Sequence, residues 1–154
     1  MFIDELKQKY NKQYIISSND KVVIFQENKS SYRANNKRCK LIYKLTIDKG
    51  IFYNNNCEKC DNGIYVDVDK TLILIELKGN DIVKAYKQIK STCDSLDIKS
   101  YKNSGKNSIV LKVRVVCSNN HYKRYYNCDH DKKYVEKVYG VNDYIVKEKI
   151  VDEL

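Results

Sequence analysis

Hydrophobic and polar residues follow two rhythms along this chain, and the change from one to the other marks its centre. Leu72, Ile73, Leu74, Ile75 and Leu77 form an apolar run that is too short to cross a membrane and matches a strand buried on both faces. Glu76 and Lys78 close the run two residues apart, so the strand period directs both to one face. Gly79 breaks the strand, and Asn80-Asp81 supply a cap for a helix from Ile82 to about Leu96. In that helix Ile82, Ala85, Tyr86, Ile89, Cys93 and Leu96 recur at spacings of three and four. Gln88 lies at the edge of the stripe, on the side of Asp81 and Thr92, and is expected to face the strand end.

The same two periods organise the rest. Phe2, Ile3, Leu6 and Tyr10 predict an amphipathic helix over residues 2–12, and Val22 to Phe25 a strand over 21–26, after a turn at Ser17-Ser18-Asn19-Asp20. Residues 27–38 are polar and read as an exposed loop that can touch a phosphate backbone. Leu41, Tyr43, Leu45 and Ile47 predict a half-buried strand over 40–48, and Ile51-Phe52-Tyr53 its continuation after the turn at Asp48-Lys49-Gly50. A strand over 64–68, joined to the apolar run by the turn residues of Asp67-Val68-Asp69-Lys70, completes an antiparallel hairpin. Beyond the central helix, 99–107 reads as a loop and 109–117 as an apolar strand. Residues 132–139 read as a short helix stopped by Gly140, and 144–151 as a strand.

Composition narrows what such a chain can do. Its 154 residues suit one domain, with a core over about 40–117, an N-terminal helix and a C-terminal extension. A mean hydropathy of -0.64 argues against membrane spans, and Asp4, Glu5 and Lys7 argue against a secretory signal, so a cytoplasmic location is expected. The net charge of +9, from 29 Lys+Arg against 20 Asp+Glu, favours a polyanionic partner, foremost nucleic acid. Six cysteines in a reducing compartment are expected as free thiols, core fillers or metal ligands rather than disulfides.

The candidate chemistry gathers at the hairpin. Asp61 opens the middle strand, and after fourteen residues Glu76-Leu77-Lys78 closes the next. The hairpin therefore brings Asp61 toward Glu76. This Asp…Glu-x-Lys pattern, with the helix carrying Gln88, resembles the PD-(D/E)xK nuclease superfamily. Cys60-Asp61, Ile75 to Asp81 and Ala85 to Gln88 resemble a group of small prokaryotic proteins within it. The resemblance covers about residues 40–117. It implies an α/β (α+β) restriction-endonuclease-like core, αβββαβ, with a mixed central sheet flanked by helices. It also implies metal-dependent hydrolysis of nucleic acid, with DNA favoured over RNA, in phage defence, mobile-element biology or repair. A homodimer or a partner protein would suit so small a domain.

Phosphodiester hydrolysis calls for a hard divalent cation that polarises the phosphoryl oxygens and acidifies a water. Two carboxylates and a carbonyl are sufficient protein ligands for Mg²⁺ or Mn²⁺. Within the resemblance these are Asp61, Glu76 and the main-chain carbonyl of Leu77, and the catalytic set is Asp61, Glu76, Lys78 and Gln88. Lys78 would face the attacking water or the phosphate, with a lowered pKa if it acts as the base, and Gln88 would orient the water or a phosphate. Cys60 stands where the name of the superfamily has Pro. Asp4, Glu5 and Asp48 are further acidic candidates.

Two other features compete for attention. Cys57-x-x-Cys60 and Cys117-x3-His121-x6-Cys128-x-His130 carry zinc-ligating residue types, though at the spacing of no standard finger. Tyr122, Lys123, Arg124, Tyr125 and Tyr126 interleave rings with cations, a composition that can stack on bases. The alternative function is a non-catalytic nucleic-acid- or protein-binding module of the same fold, with structural zinc as an option.

Overall fold

Strand alternation and helical stripes assemble into three layers in the computed structural model, which describes residues 2–53, 57–102, 105, 108–117 and 129–154. The elements are α1 (Phe2–Lys9), β1 (Ile15–Ser18), β2 (Val22–Glu27), β3 (Ser30–Asn35), β4 (Ile42–Thr46), β5 (Asn62–Val66), β6 (Thr71–Lys78), α2 (Ile82–Ser95), α3 (Ile98–Lys102), β7 (Val110–Cys117), α4 (His130–Tyr139), β8 (Asp143–Lys147) and β9 (Ile150–Glu153). A mixed six-stranded sheet runs in the order β1-β4-β5-β6-β7-β8. Its β1/β4, β4/β5 and β5/β6 pairs are antiparallel, whereas β6/β7 and β7/β8 are parallel. The fold is thus mixed α/β. The order helix, three antiparallel strands, helix, strand is present, with β1 to β3 inserted after the first helix.

Parallel neighbours need crossover connections, and two successive crossovers that step in the same direction place their helices on one face. Phe2, Ile3 and Leu6 of α1, the apolar stripe of α2 and Val135 and Tyr139 of α4 accordingly pack in one core with Leu72, Leu74, Val113 and Val115 of the sheet. The other face is covered by a three-stranded sheet, β2-β3-β9. Val23, Tyr32, Ala34 and Ile150 from it meet Ile64, Val66, Ile73, Ile75 and Leu77. Every residue of β6 up to Leu77 is therefore buried, each large apolar side chain contributing about 1.5–3 kcal/mol.

The caps follow the sequence. Asp81 accepts a hydrogen bond from the Lys84 N–H at 2.9 Å, and Gly140, at φ +58°, ends α4 in the left-handed region that suits glycine.

Several expected elements differ. Residues 27–38 are not an exposed loop: β3 pairs antiparallel with β2 and parallel with β9, burying Ser30, Tyr32 and Ala34. Of those three inward residues only Tyr32 is a large apolar side chain, beside a serine and an alanine, so composition masks the period of two. Ser17 and Ser18 belong to β1 rather than to a turn. Ile42 is fully buried against the small sheet while Leu41 is exposed, so β4 is covered on both faces rather than one. The segment after it is no strand but a wide helical turn, Ile47–Ile51, kinked at Lys49 with φ +54°. Ile98–Lys102 is a short helix where a loop was expected, and the C-terminal strand divides into β8 and β9. No helix among the described residues is long and apolar enough to cross a membrane.

Candidate active site

The site forms where β5 and β6 end. Register pairs Asn62 with Ile75, so Asp61 and Glu76 are the next cross-strand neighbours, on the helix side of the sheet with Leu72 and Leu74. The Asp61 N–H donates to Glu76 Oε2 at 3.1 Å, and the Leu77 N–H donates to Asp61 Oδ2 at 2.7 Å. The Asp61 carbonyl accepts from the Ile47 N–H at 3.0 Å, and that of Cys60 from Asp48 at 3.1 Å. Asp61 is clamped to both neighbouring chain segments. Lys78 Nζ lies 2.9 Å from Glu76 Oε1, as expected for two residues on one strand face.

Burial sets the electrostatics. Glu76 is fully buried, and desolvation together with the Asp61 charge pushes its pKa up to about 8 despite Lys78. Burial also raises Asp61, against the lowering effect of the Leu77 amide. For Lys78 burial disfavours the cation, but the Glu76 carboxylate outweighs it and the pKa is raised. This direction is opposite to the lowered pKa a lysine base needs and favours the cation.

Gln88 faces the strand end from α2. It is buried, and its Nε2 donates to the Lys59 carbonyl at 2.9 Å. Its Oε1 has no hydrogen-bond partner among the described residues. One turn on, Thr92 Oγ1 accepts from the Cys60 N–H at 2.9 Å. The helix thus braces the segment that carries Asp61 through two main-chain groups.

These residues border an open cleft of about 540 Å³, lined by Asp61, Leu77, Lys78 and Gln88 with Glu27, Asn28, Asp48, Lys49, Phe52, Tyr53, Cys57, Glu58, Gly79 and Lys84. Lys84 pairs with Glu58 at 2.7 Å, which leaves Glu27, Asp48 and Asp61 as open carboxylates around Lys49 and Lys78. Glu27 was not foreseen. Its position depends on the β2–β3 hairpin tip, where Ser30 Oγ donates to the Lys78 carbonyl at 3.3 Å, and nothing local in the sequence announces that contact. The cleft offers carboxylate oxygens on Glu27, Asp48 and Asp61, a donor type suited to a small hard cation such as Mg²⁺ or Mn²⁺, while Glu76 is buried and does not line it, its two oxygens meeting the Asp61 N–H and Lys78 Nζ.

Other candidates are not brought here. Asp4 and Glu5 lie on the exposed side of α1, where Glu5 accepts from the Tyr101 hydroxyl. Cys57 is exposed and Cys60 buried, with the Cys60 thiol pushed well up by burial and by Glu76. Cys117 is buried at the end of β7 and His130 is exposed at the start of α4. His121, Cys128 and the run from Tyr122 to Tyr126 lie outside the described residues. Among the described residues no group of three or more His, Cys, Asp or Glu side chains is arranged to hold a metal. Comparison of the chain with known protein families, with curated proteins and with solved structures gives no match.

Proposed function

We propose that the protein is a metal-dependent nuclease of the PD-(D/E)xK type, with a restriction-endonuclease-like core, that hydrolyses phosphodiester bonds in nucleic acid, DNA before RNA. One observation carries this reading: Asp61 and Glu76 are cross-strand neighbours, with Lys78 on the same strand end and Asp61 and Lys78 opening on a cleft. Asp61, Glu76 and the Leu77 carbonyl would hold Mg²⁺ or Mn²⁺, which when bound polarises the phosphoryl oxygens and acidifies a water.

The remaining steps belong to the chain. Lys78, kept cationic by Glu76, sets a positive charge at the cleft where a phosphate accumulates negative charge, and it needs no reorganisation to do so. Gln88 holds the Lys59 carbonyl with Nε2 and leaves Oε1 to accept from a water. The Leu77 amide fixes one Asp61 oxygen, which orients the other.

The test is cleavage of single-stranded, duplex and branched DNA, and of RNA, with Mg²⁺, Mn²⁺ or EDTA. Metal-dependent cutting by the wild type that disappears in Glu76→Ala and Lys78→Ala is the expected result. The alternative, a non-catalytic binding module, draws on the same amide bonds, because they also give both carboxylates a structural role. It predicts no cutting of any substrate and nucleic-acid binding unchanged in the two variants.

A further inference from the structure

A second recess adjoins the cleft and shares two of its walls. It measures about 490 Å³ and is lined by Lys9, Tyr10, Asn11, Tyr14, Gly50, Ile51, Phe52 and Tyr53, of which Phe52 and Tyr53 also line the cleft. Tyr10 and Phe52 meet edge to face with centroids 5.3 Å apart. The Tyr14 ring lies against Gly50, where a Cβ would come within 3.1 Å of its Cδ1, so glycine lets the ring close the floor. Tyr53 stands at the shared rim with 72% of its surface exposed. Tyr53 is thus exposed on a wall shared with Asp61 and Lys78.

Charge decides what fits. Lys9, with its Nζ 5.3 Å from the Tyr10 ring centroid, flanks one side, and Lys49 lies in the adjoining cleft with Tyr53, among the carboxylates of Glu27, Asp48 and Asp61. The aromatic lining beside Lys9, on a chain of net charge +9, matches an unstacked base with its phosphate. A base paired within a duplex has no free face to offer.

We infer that the Tyr10–Phe52–Tyr53 recess holds an unpaired nucleobase next to the bond to be cut, so that the substrate is single-stranded or locally unpaired nucleic acid. The inference rests on the nuclease reading for its position beside the reacting phosphate, but its binding half stands alone.

The experiment is fluorescence anisotropy in EDTA with a labelled oligothymidylate of about 12 nucleotides, within the span of single-strand sites, and a blunt duplex of equal length. Wild type is expected to favour the single strand. Tyr53→Ala, a substitution at an exposed position whose fold is checked by circular dichroism, is expected to weaken single-strand binding at least about 5-fold. Duplex binding should stay unchanged, and Tyr53→Phe should retain the wild-type affinity. An oligonucleotide with one abasic position is expected to lose affinity for wild type but not for Tyr53→Ala. Equal losses on single strand and duplex, no loss in Tyr53→Ala, or no binding of either probe would overturn the inference. Metal-dependent cutting alongside Tyr53-independent binding would remove the recess and leave the nuclease. Tyr53-dependent binding without any cutting would do the reverse.

Discussion

The Leu77 N–H donates to Asp61 Oδ2 at 2.7 Å, so the carboxylate expected to hold a metal also terminates the main-chain ladder between β5 and β6. Asn at this position keeps an oxygen for that N–H, whereas Ala leaves it unsatisfied. Asp61→Asn and Asp61→Ala are both expected to abolish metal-dependent cleavage. Only Asp61→Ala should lower stability, by about 1–3 kcal/mol in urea unfolding.

The pKa of Glu76, raised to about 8, has a signed consequence. Its unfolded value is that of an ordinary carboxylate, so between about pH 4.5 and 8 the folded state binds more protons than the unfolded chain. In EDTA the contribution of Glu76 to stability is therefore present at low pH and lost as pH rises toward 8. Thermal unfolding should show a steeper fall over this window in wild type than in Glu76→Gln. Identical pH slopes in the two proteins would refute the raised value.

Gln88→Ala removes the hydrogen bond to the Lys59 carbonyl without touching a carboxylate. Groups that orient a metal site at one remove change affinity or rate by about 10- to 100-fold, and a loss of cleavage within that range is expected. Glu76→Ala should instead reduce cutting to background. Titrating Mg²⁺ against the initial rate distinguishes weakened metal binding from slower chemistry.

Arg114 provides a test away from the site. Its guanidinium is buried between the two sheets, with Nε on Asp152 at 2.7 Å and an Nη on Asp143 at 2.8 Å, while the Tyr32 hydroxyl donates to the same Asp152 oxygen. Burial opposes the charge of Asp143, yet Arg114 and Lys112 hold its pKa below the ordinary value. Arg114→Ala leaves the partly buried Asp152 without its cation and empties a buried position, and should cost about 3–5 kcal/mol, measured by chemical denaturation.

How much of this is legible in the residues differs by element. The hairpin, β6, α2 and the meeting of Glu76 with Lys78 follow from local period and turn chemistry, since one strand or one helix decides them. The small sheet does not. Tyr32 and Arg114 become interior only because Asp152 and Asp143 arrive from far along the chain, and a segment written Ser-Ser-Tyr-Arg-Ala-Asn shows too little apolar alternation to announce burial. Glu27 reaches the cleft for the same long-range reason. The turn at Asp48-Lys49-Gly50 is legible, but its extension through Ile51 in place of a new strand is not, because Ile47 packs on Gly63 and Gly50 on Tyr14 across the fold.

The parallel pairing of β9 with β3 bears on when the protein can work during its own synthesis. Contacts between segments so distant in the chain form late and slowly, and Ile150–Glu153 must have been translated before β3, in the hairpin bearing Glu27 and Asn28, is paired along both of its edges. A chain cut after Lys149 is expected to keep its six-stranded sheet while amide exchange in β2 and β3 accelerates; unchanged protection there would show that the hairpin needs no such anchor. A nascent chain would thus carry its paired carboxylates before β9 had braced the hairpin at the rim of the cleft.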